Sequence, residues 1–547
     1  QNIDTSAFES LAELFSEAFE QFADQPAFEN MGKLLTFREV EKLSDDFASY
    51  LVNVAGLKKG DKIAIQSPNL LQYPIAMLGA LRAGLVVVNT NPLYTPSEME
   101  HQFKDSEAKA IVILANFGHN LEKILDKTSI EKVIITEIGD MLGGLKGAIV
   151  NFVVKKVKKM VPKYSLPGAV PFKQALAEGA RHSFTPPEIK STDLAFLQYT
   201  GGTTGVSKGA MLSHANLVAN LKQVDAWMNH GGLKVGEEIF ITALPIYHVF
   251  ALTCNVLVAV NIGAKNVLIT NPRDMPAFIK ELKKHKFSVI TGVNTLFNGL
   301  LNQPDFAKLD FSKLKFAFGG GMAVQEYTSN KWEKVTGSFL AEGYGLTETS
   351  PVLTANPLDG TGRIGSIGMP MPNTEIKLLD DDGKEVKPGE KGELCAKGPQ
   401  VMSGYWNKPD ETKECMVKGF FRTGDIATMD EQGFFKIVDR KKEMILVSGF
   451  NVYPNEIENV VASHDKVLEV GAIGVPDKKS TEAVKIYIVK GDESLTEEEI
   501  KAYCKDRLTG YKCPKYVAFS DELPKSNVGK ILRRVIREND LKENSYD

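Results

Sequence analysis

The sequence predicts an α/β protein with a large N-terminal lobe and a small α+β C-terminal domain, and three observations carry that expectation. From Gly60 onward, short apolar runs alternate with helically spaced apolar residues, the rhythm of strands and covering helices. Between Thr374 and Gly398 the pattern turns to alternating strands broken by Asp381-Asp382-Gly383 and Pro388-Gly389, which predicts an antiparallel β unit. The run Asp439-Arg440-Lys441-Lys442-Glu443 then sets five consecutive charges in the chain. Such a run cannot be core, so a domain boundary is expected there.

Taken in order, strands are expected at Ile63 to Ile65, Val86 to Val88, Ala110 to Leu114, Lys132 to Thr136, Ala195 to Tyr199, Asn266 to Ile269, Val289 to Gly292 and Lys315 to Gly319. A helix is expected over Leu70 to Ala83. No fixed period recurs, which excludes a solenoid. The turn Asp430-Glu431-Gln432-Gly433 introduces a further strand, Phe434 to Val438. The expected domains are therefore residues 1–438 and 439–547.

The length of 547 residues implies several units, about three or four at roughly 100–200 residues each. A net charge of -4 gives no global attraction to nucleic acid, which is not an expected partner. Cys254, Cys395, Cys415, Cys504 and Cys513 form no C-x-x-C pair, so reduced cytosolic thiols are expected. No run approaches the ~20 apolar residues of a membrane span, and the start of the sequence shows no secretory pattern. A cytoplasmic protein is expected, one that touches a membrane only from outside.

Directly after one apolar strand stands Tyr199-Thr200-Gly201-Gly202-Thr203-Thr204-Gly205-Val206-Ser207-Lys208-Gly209. Glycines let backbone amides approach an anion, threonine hydroxyls add donors and Lys208 adds charge, so the segment reads as a polyphosphate cradle. It is not a G-x-x-x-x-G-K-[ST] P-loop, because Gly209 follows Lys208 where the hydroxyl residue should be. The loop resembles the phosphate loop of the adenylate-forming superfamily, which includes acyl-CoA synthetases, firefly luciferase and the adenylation domains of peptide synthetases.

Further segments stand in that superfamily's order. Ala341-Glu342-Gly343-Tyr344-Gly345-Leu346-Thr347-Glu348-Thr349 resembles its adenine motif. The resemblance implies that Tyr344 stacks on the base between Gly343 and Gly345, with Thr347 nearby, and that Glu348 and Thr200 hold Mg2+. Gly319-Gly320-Gly321-Met322 resembles the segment bordering adenine and acyl group. Asp425 of Thr423-Gly424-Asp425 matches the ribose-binding aspartate, and Arg440 is a second nucleotide contact by the same likeness. Pro524-Lys525-Ser526-Asn527-Val528-Gly529-Lys530-Ile531-Leu532-Arg533-Arg534 resembles the C-terminal catalytic motif, in which Lys530 reaches the α-phosphate. Arg533 and Arg534 are expected to cover a surface face.

The stretch Gly419 to Ile457 resembles the signature of fatty-acyl-CoA synthetases, bacterial long-chain enzymes in particular. The fold implied is a large lobe of two α/β sheets and a β-barrel-like unit, with a small mobile C-terminal domain turning about Asp439. The activity implied joins a long-chain fatty acid to coenzyme A at the expense of ATP, through an acyl-adenylate. Thr200, His248, Glu348 and Lys530 are the implied catalytic set, and Ser448, Gly449 and Phe450 meet CoA. Tyr247, His248, Val249, Leu252, Val293, Gly319 and Gly320 line the implied acyl pocket; a packed His248 is the alternative reading. A fatty-acyl-AMP ligase, a medium-chain or aryl-CoA ligase, and an inactive acyl or nucleotide sensor stay open. So do chain length and a homodimer.

Between Ala148 and Tyr164 the chain reads as a basic amphipathic helix: Ile149, Val153, Val157, Met160 and Val161 share one arc and Lys155, Lys156, Lys158 and Lys159 the other. Two readings follow. The segment from Ile149 to Tyr164 lies on an anionic membrane at the inner face of the cytoplasmic membrane, or its apolar arc packs on the protein's own core.

Overall fold

The structure is a computed structural model that describes residues 2–200, 207–526 and 529–546. A seven-stranded sheet takes its strands in the order Val170–Pro171, Lys132–Thr136, Ala110–Leu114, Lys62–Gln66, Val86–Asn89, Leu194–Tyr199 and Gly209–Ser213. Its neighbours are parallel except the last pair, an antiparallel hairpin that carries the phosphate loop. A nine-stranded sheet sets Ile239–Thr242, Val289–Gly292, Phe316–Gly319 and Leu340–Gly345 side by side in parallel. The central strands are buried throughout, as parallel strands covered on both faces require. Each α/β strand expected from the sequence lies within one residue of the observed bounds.

The helix Gln72–Arg82 is buried at every residue, the signature of a helix packed between layers. Its one charge is tolerated because Arg82 donates to Ser44 Oγ and pairs with Asp45 at 2.7 Å. Asn69 ties the two sheets together. Its amide donates to the carbonyls of Thr242 and Leu244, and its side-chain oxygen accepts from the Ile246 amide. The carboxyl ends of strands from both sheets thereby open on one cleft, where ligands of α/β folds bind.

The third sheet is antiparallel, with Glu375–Leu379, Gly392–Lys397, Phe420–Met429 and Met416–Val417 in order and Phe435–Arg440 beside Phe420–Met429. The C-terminal part builds its own sheet from Ile445–Val447 onward, and its own core around Val452, Ile457, Ile486 and Ile488. A separate core is the mark of a separate domain.

Two sequence expectations need correction. The charged run is not wholly outside the core: Asp439 is 1% exposed and its backbone pairs with Ile426 in the third sheet. Burial is tolerated because its carboxylate accepts from the amides of Arg440 and Asn455 and from Arg533. Arg533, expected on the surface, is half-buried beside it, its side chain 13% exposed. The basic segment is not one continuous helix either. The helix Gly144–Phe152 passes into a wider turn, Val153–Val157, closed by the Lys158 amide on the Val153 carbonyl, and a positive φ at Lys159 follows. Leu145 (77% exposed), Ile149 and Phe152 (61%) point outward from the helix, as do Val157 and Met160 beyond it, while Val153 and Val161 are half-buried. Among the described residues, no helix is long and apolar enough to cross a membrane.

Candidate active site

The phosphate-loop hairpin is closed at its base by the Thr200 amide donating to the Lys208 carbonyl at 2.9 Å. Gly201, Gly202, Thr203, Thr204 and Gly205 lie outside the described residues. Lys208 stands over the Tyr405 ring, 4.5 Å from its centroid. Behind the hairpin a buried polar chain fixes the next segment. Tyr73 donates to Asn89, Asn89 to Gln198, and Gln198 to the Tyr247 carbonyl. Each donor has one acceptor waiting, so Tyr247 and His248 are held against the loop's own strand.

Glu348 sits in the one-turn helix Thr347–Thr349 and is buried. Its Oε1 accepts the Tyr405 hydroxyl at 2.6 Å. Burial raises its pKa, and the Tyr405 bond, Arg440 and Lys208 oppose that rise. Asp425, also buried, accepts the Tyr344 hydroxyl and pairs with Arg440 at 3.5 Å. Burial raises its pKa too, against the pull of Arg440.

Lys530 arrives from the C-terminal domain. Its loop is moored on the large lobe by Thr295, whose hydroxyl donates to the Gly529 carbonyl at 3.0 Å. Gly529 has φ +81°, and a Cβ there would stand 2.6 Å from the Thr295 hydroxyl, so glycine is required. Burial first, and then Arg440, push the Lys530 ammonium down to about 8, while Glu443 and Asp425 resist. His248 caps the short helix that follows it and is held down to about 4 by burial and by Lys530, so it is neutral.

Thr200, Lys208, Tyr247, His248, Val249, Val293, Gly320, Gly321, Gly343, Tyr344, Gly345, Thr347, Glu348, Asp425, Arg440 and Lys530 all line one cleft of about 850 Å³. Leu252 does not; it is fully buried in the core. Gly319 is also outside the lining, its Cβ space filled by Val324. Ser448, Gly449 and Phe450 form a hairpin turn away from this cleft, with Phe450 stacked on Tyr511 at 4.6 Å. Open space surrounds Gly449, which has φ +84°.

Three residues escaped the sequence reading. Tyr405 supports Glu348, and only Gly404-Tyr405-Trp406, a small-aromatic cluster, could have flagged it. Glu342 lies inside a quoted motif but had no role; it is buried, accepts the Val324 amide at 3.1 Å, and burial pushes it up to about 8. Arg533 gave no signal, because a basic pair at a helix start reads as surface.

Comparison with known proteins decides the family. The AMP-binding enzyme family matches residues 15–406, and the AMP-binding enzyme C-terminal domain matches residues 456–530. The chain belongs to the AMP-binding enzymes. Among these, it is 58% identical over 537 residues to the long-chain-fatty-acid–CoA ligase of Escherichia coli O6:H1, covering 98% of this chain and 95% of that one. The Bacillus subtilis protein of the same name is 38% identical over 97% of this chain and 94% of its own. ATP-bound MatB from Rhodopseudomonas palustris superposes with a TM-score of 0.82 at 28% identity, over 97% and 99% of the two chains. The anthranilate CoA ligase AuaEII, in complex with anthranoyl-AMP, reaches a TM-score of 0.88 over 99% of each chain; at 22% identity it speaks for the fold of this AMP-binding enzyme alone.

Proposed function

We propose that this AMP-binding enzyme is a long-chain fatty acid–CoA ligase, which converts fatty acid, ATP and CoA to acyl-CoA, AMP and diphosphate through an acyl-adenylate. The observation that carries the reading is the meeting of Thr200, Lys208, Glu348, Asp425 and Lys530 around one cleft, in a chain 58% identical to a protein of that name. A carboxylate attacks phosphorus poorly unless the charge of the departing diphosphate is held. Lys208 and the Lys530 ammonium supply that charge from opposite lobes. Asp425 and Arg440 orient the ribose. Neutral His248 borders the acyl carboxylate without repelling or neutralising it. The Glu348 carboxylate and Thr200 hydroxyl are hard oxygen donors, which fit Mg2+; the ion would neutralise polyphosphate charge.

The second half-reaction needs room for the CoA thiol where Lys530 now stands. Rotation of residues 439–547 about Asp439 would withdraw Lys530 and bring the turn at Ser448, Gly449 and Phe450 to the thiol channel. Gly449, with nothing near its Cβ position, is suited to passing a thin arm. The fatty acid arrives, on this reading, from an anionic membrane surface at the inner face of the cytoplasmic membrane. Leu145, Ile149, Phe152, Val157 and Met160 are exposed beside Lys155, Lys156, Lys158 and Lys159, the composition of an interfacial segment.

The test is diphosphate release against a ladder of fatty acids, with and without CoA. Thioester formation that requires CoA and favours long chains is expected. Release that proceeds without thioester product would favour the acyl-AMP ligase, and no release with any acid would favour the sensor.

A further inference from the structure

Asp439 belongs to two bodies at once. Its backbone pairs with Ile426 in the third sheet of the large lobe, while its carboxylate is buried in the C-terminal domain. There it accepts the Asn455 amide at 2.8 Å and Arg533 Nη1 at 2.9 Å. Arg533 opens the helix Arg533–Glu543, three residues beyond Lys530.

Every N–H of Arg533 is in use. Nε and Nη2 grip both oxygens of Glu458 at 2.8 and 2.6 Å, Nη1 serves Asp439 and Glu443, and Nη2 also reaches Asn455 Oδ1. Only a planar fork with five donors can do this; a lysine has a single nitrogen to offer. Glu458 and Asn455 lie on the helix Pro454–Ala462, and Glu443 lies just past the strand that ends at Arg440. One side chain thus joins the last residues of the large lobe, the first turn of the small domain and the segment that carries Lys530.

We propose that Arg533 is a positioning residue for adenylate formation: it clamps Asp439, Glu443 and Glu458 together so that Lys530 is presented to the cleft. Turning one lobe against the other at Asp439 reorients its carboxylate against the small domain, while Glu443, Asn455, Glu458 and Arg533 move together, so the Asp439–Arg533 link must be broken on the way to the second half-reaction. The grip therefore favours the arrangement seen here and serves the first half-reaction alone. This rests on the ligase reading above, and the two are separable: a wild-type enzyme that makes neither adenylate nor thioester would defeat that reading, not this one.

The experiment measures both half-reactions separately, adenylate formation by diphosphate exchange and thioester formation from supplied acyl-adenylate. Arg533→Met should lower adenylate formation about 100-fold, the scale of a displaced catalytic group, while thioester formation stays near the wild-type rate. Because Arg533→Met strips buried Asp439 and half-buried Glu443 and Glu458 of their partner, Arg533→Lys, which keeps the charge and loses the fork, is read beside it. It should show the same split at smaller amplitude. Arg537→Met, on the same helix, removes a half-exposed pair with Glu482 of the strand Thr481–Lys490 and should alter neither rate. Wild-type adenylate formation in Arg533→Lys, or an equal fall of both half-reactions in it, would overturn the proposal.

Discussion

The Tyr405 hydroxyl donates to Glu348 Oε1 at 2.6 Å, so the buried carboxylate proposed to hold Mg2+ is held from outside the motif that contains it. Such a bond favours the charged form against the cost of burial. Removing it in Tyr405→Phe should raise the Mg2+ concentration for half-maximal adenylate formation by roughly tenfold, the worth of one hydrogen bond to a charged group. The bond lowers the Glu348 pKa, so its loss raises that pKa, and the defect should shrink as pH rises. Titration of activity with Mg2+ at several pH values measures this.

Burial and Arg440 push Lys530 down to about 8, and its ammonium is the form proposed to stabilise the transition state. The kcat/KM of adenylate formation should therefore fall as pH rises through about 8, because that profile reports the free enzyme. Glu443 raises the Lys530 pKa. Glu443→Gln should move the alkaline limb to lower pH, visible in a pH–rate profile.

Glu342 is pushed up to about 8 by burial. Its folded-state pKa lies above the unfolded value, so its contribution to stability is full at acid pH and is lost as pH rises toward 8. Glu342→Gln removes that loss. The variant should gain stability over wild type between pH about 5 and about 8, on the order of a few kcal/mol at the upper end, measured by urea unfolding at each pH.

The strands of both α/β sheets were legible because a short apolar run bounded by turn residues leaves little choice of element. Thr200 and Lys208, the ends of a local cluster of glycine, hydroxyl and charge, both line the cleft. What stayed hidden depends on partners far away in sequence. Asp439 is buried by a residue 94 positions along, and Tyr405 supports a carboxylate 57 positions back; neither pairing leaves a local pattern. The end of the basic helix was missed for another reason: a shift from an α to a wider turn at Val153–Val157 alters the angular phase on which the arc was drawn.

The exposed apolar residues of that segment make the membrane reading measurable. Changing Lys155, Lys156, Lys158 and Lys159 to glutamate should abolish co-sedimentation with vesicles of anionic lipid, since each lysine contributes roughly 1 kcal/mol at such a surface. Phe152→Ser should weaken it as well. Unchanged partitioning, or binding equal on neutral vesicles, would reject a basic interfacial segment; self-association lost with the lysines would point to a second copy as its occupant.

The most direct test of a common active site built from both lobes is Lys530→Ala, assayed one half-reaction at a time. Adenylate formation should drop by at least about 100-fold, while thioester formation from supplied acyl-adenylate and CoA persists. Equal loss of both, or an unaffected first step, would contradict the placing of Lys530 at the α-phosphate.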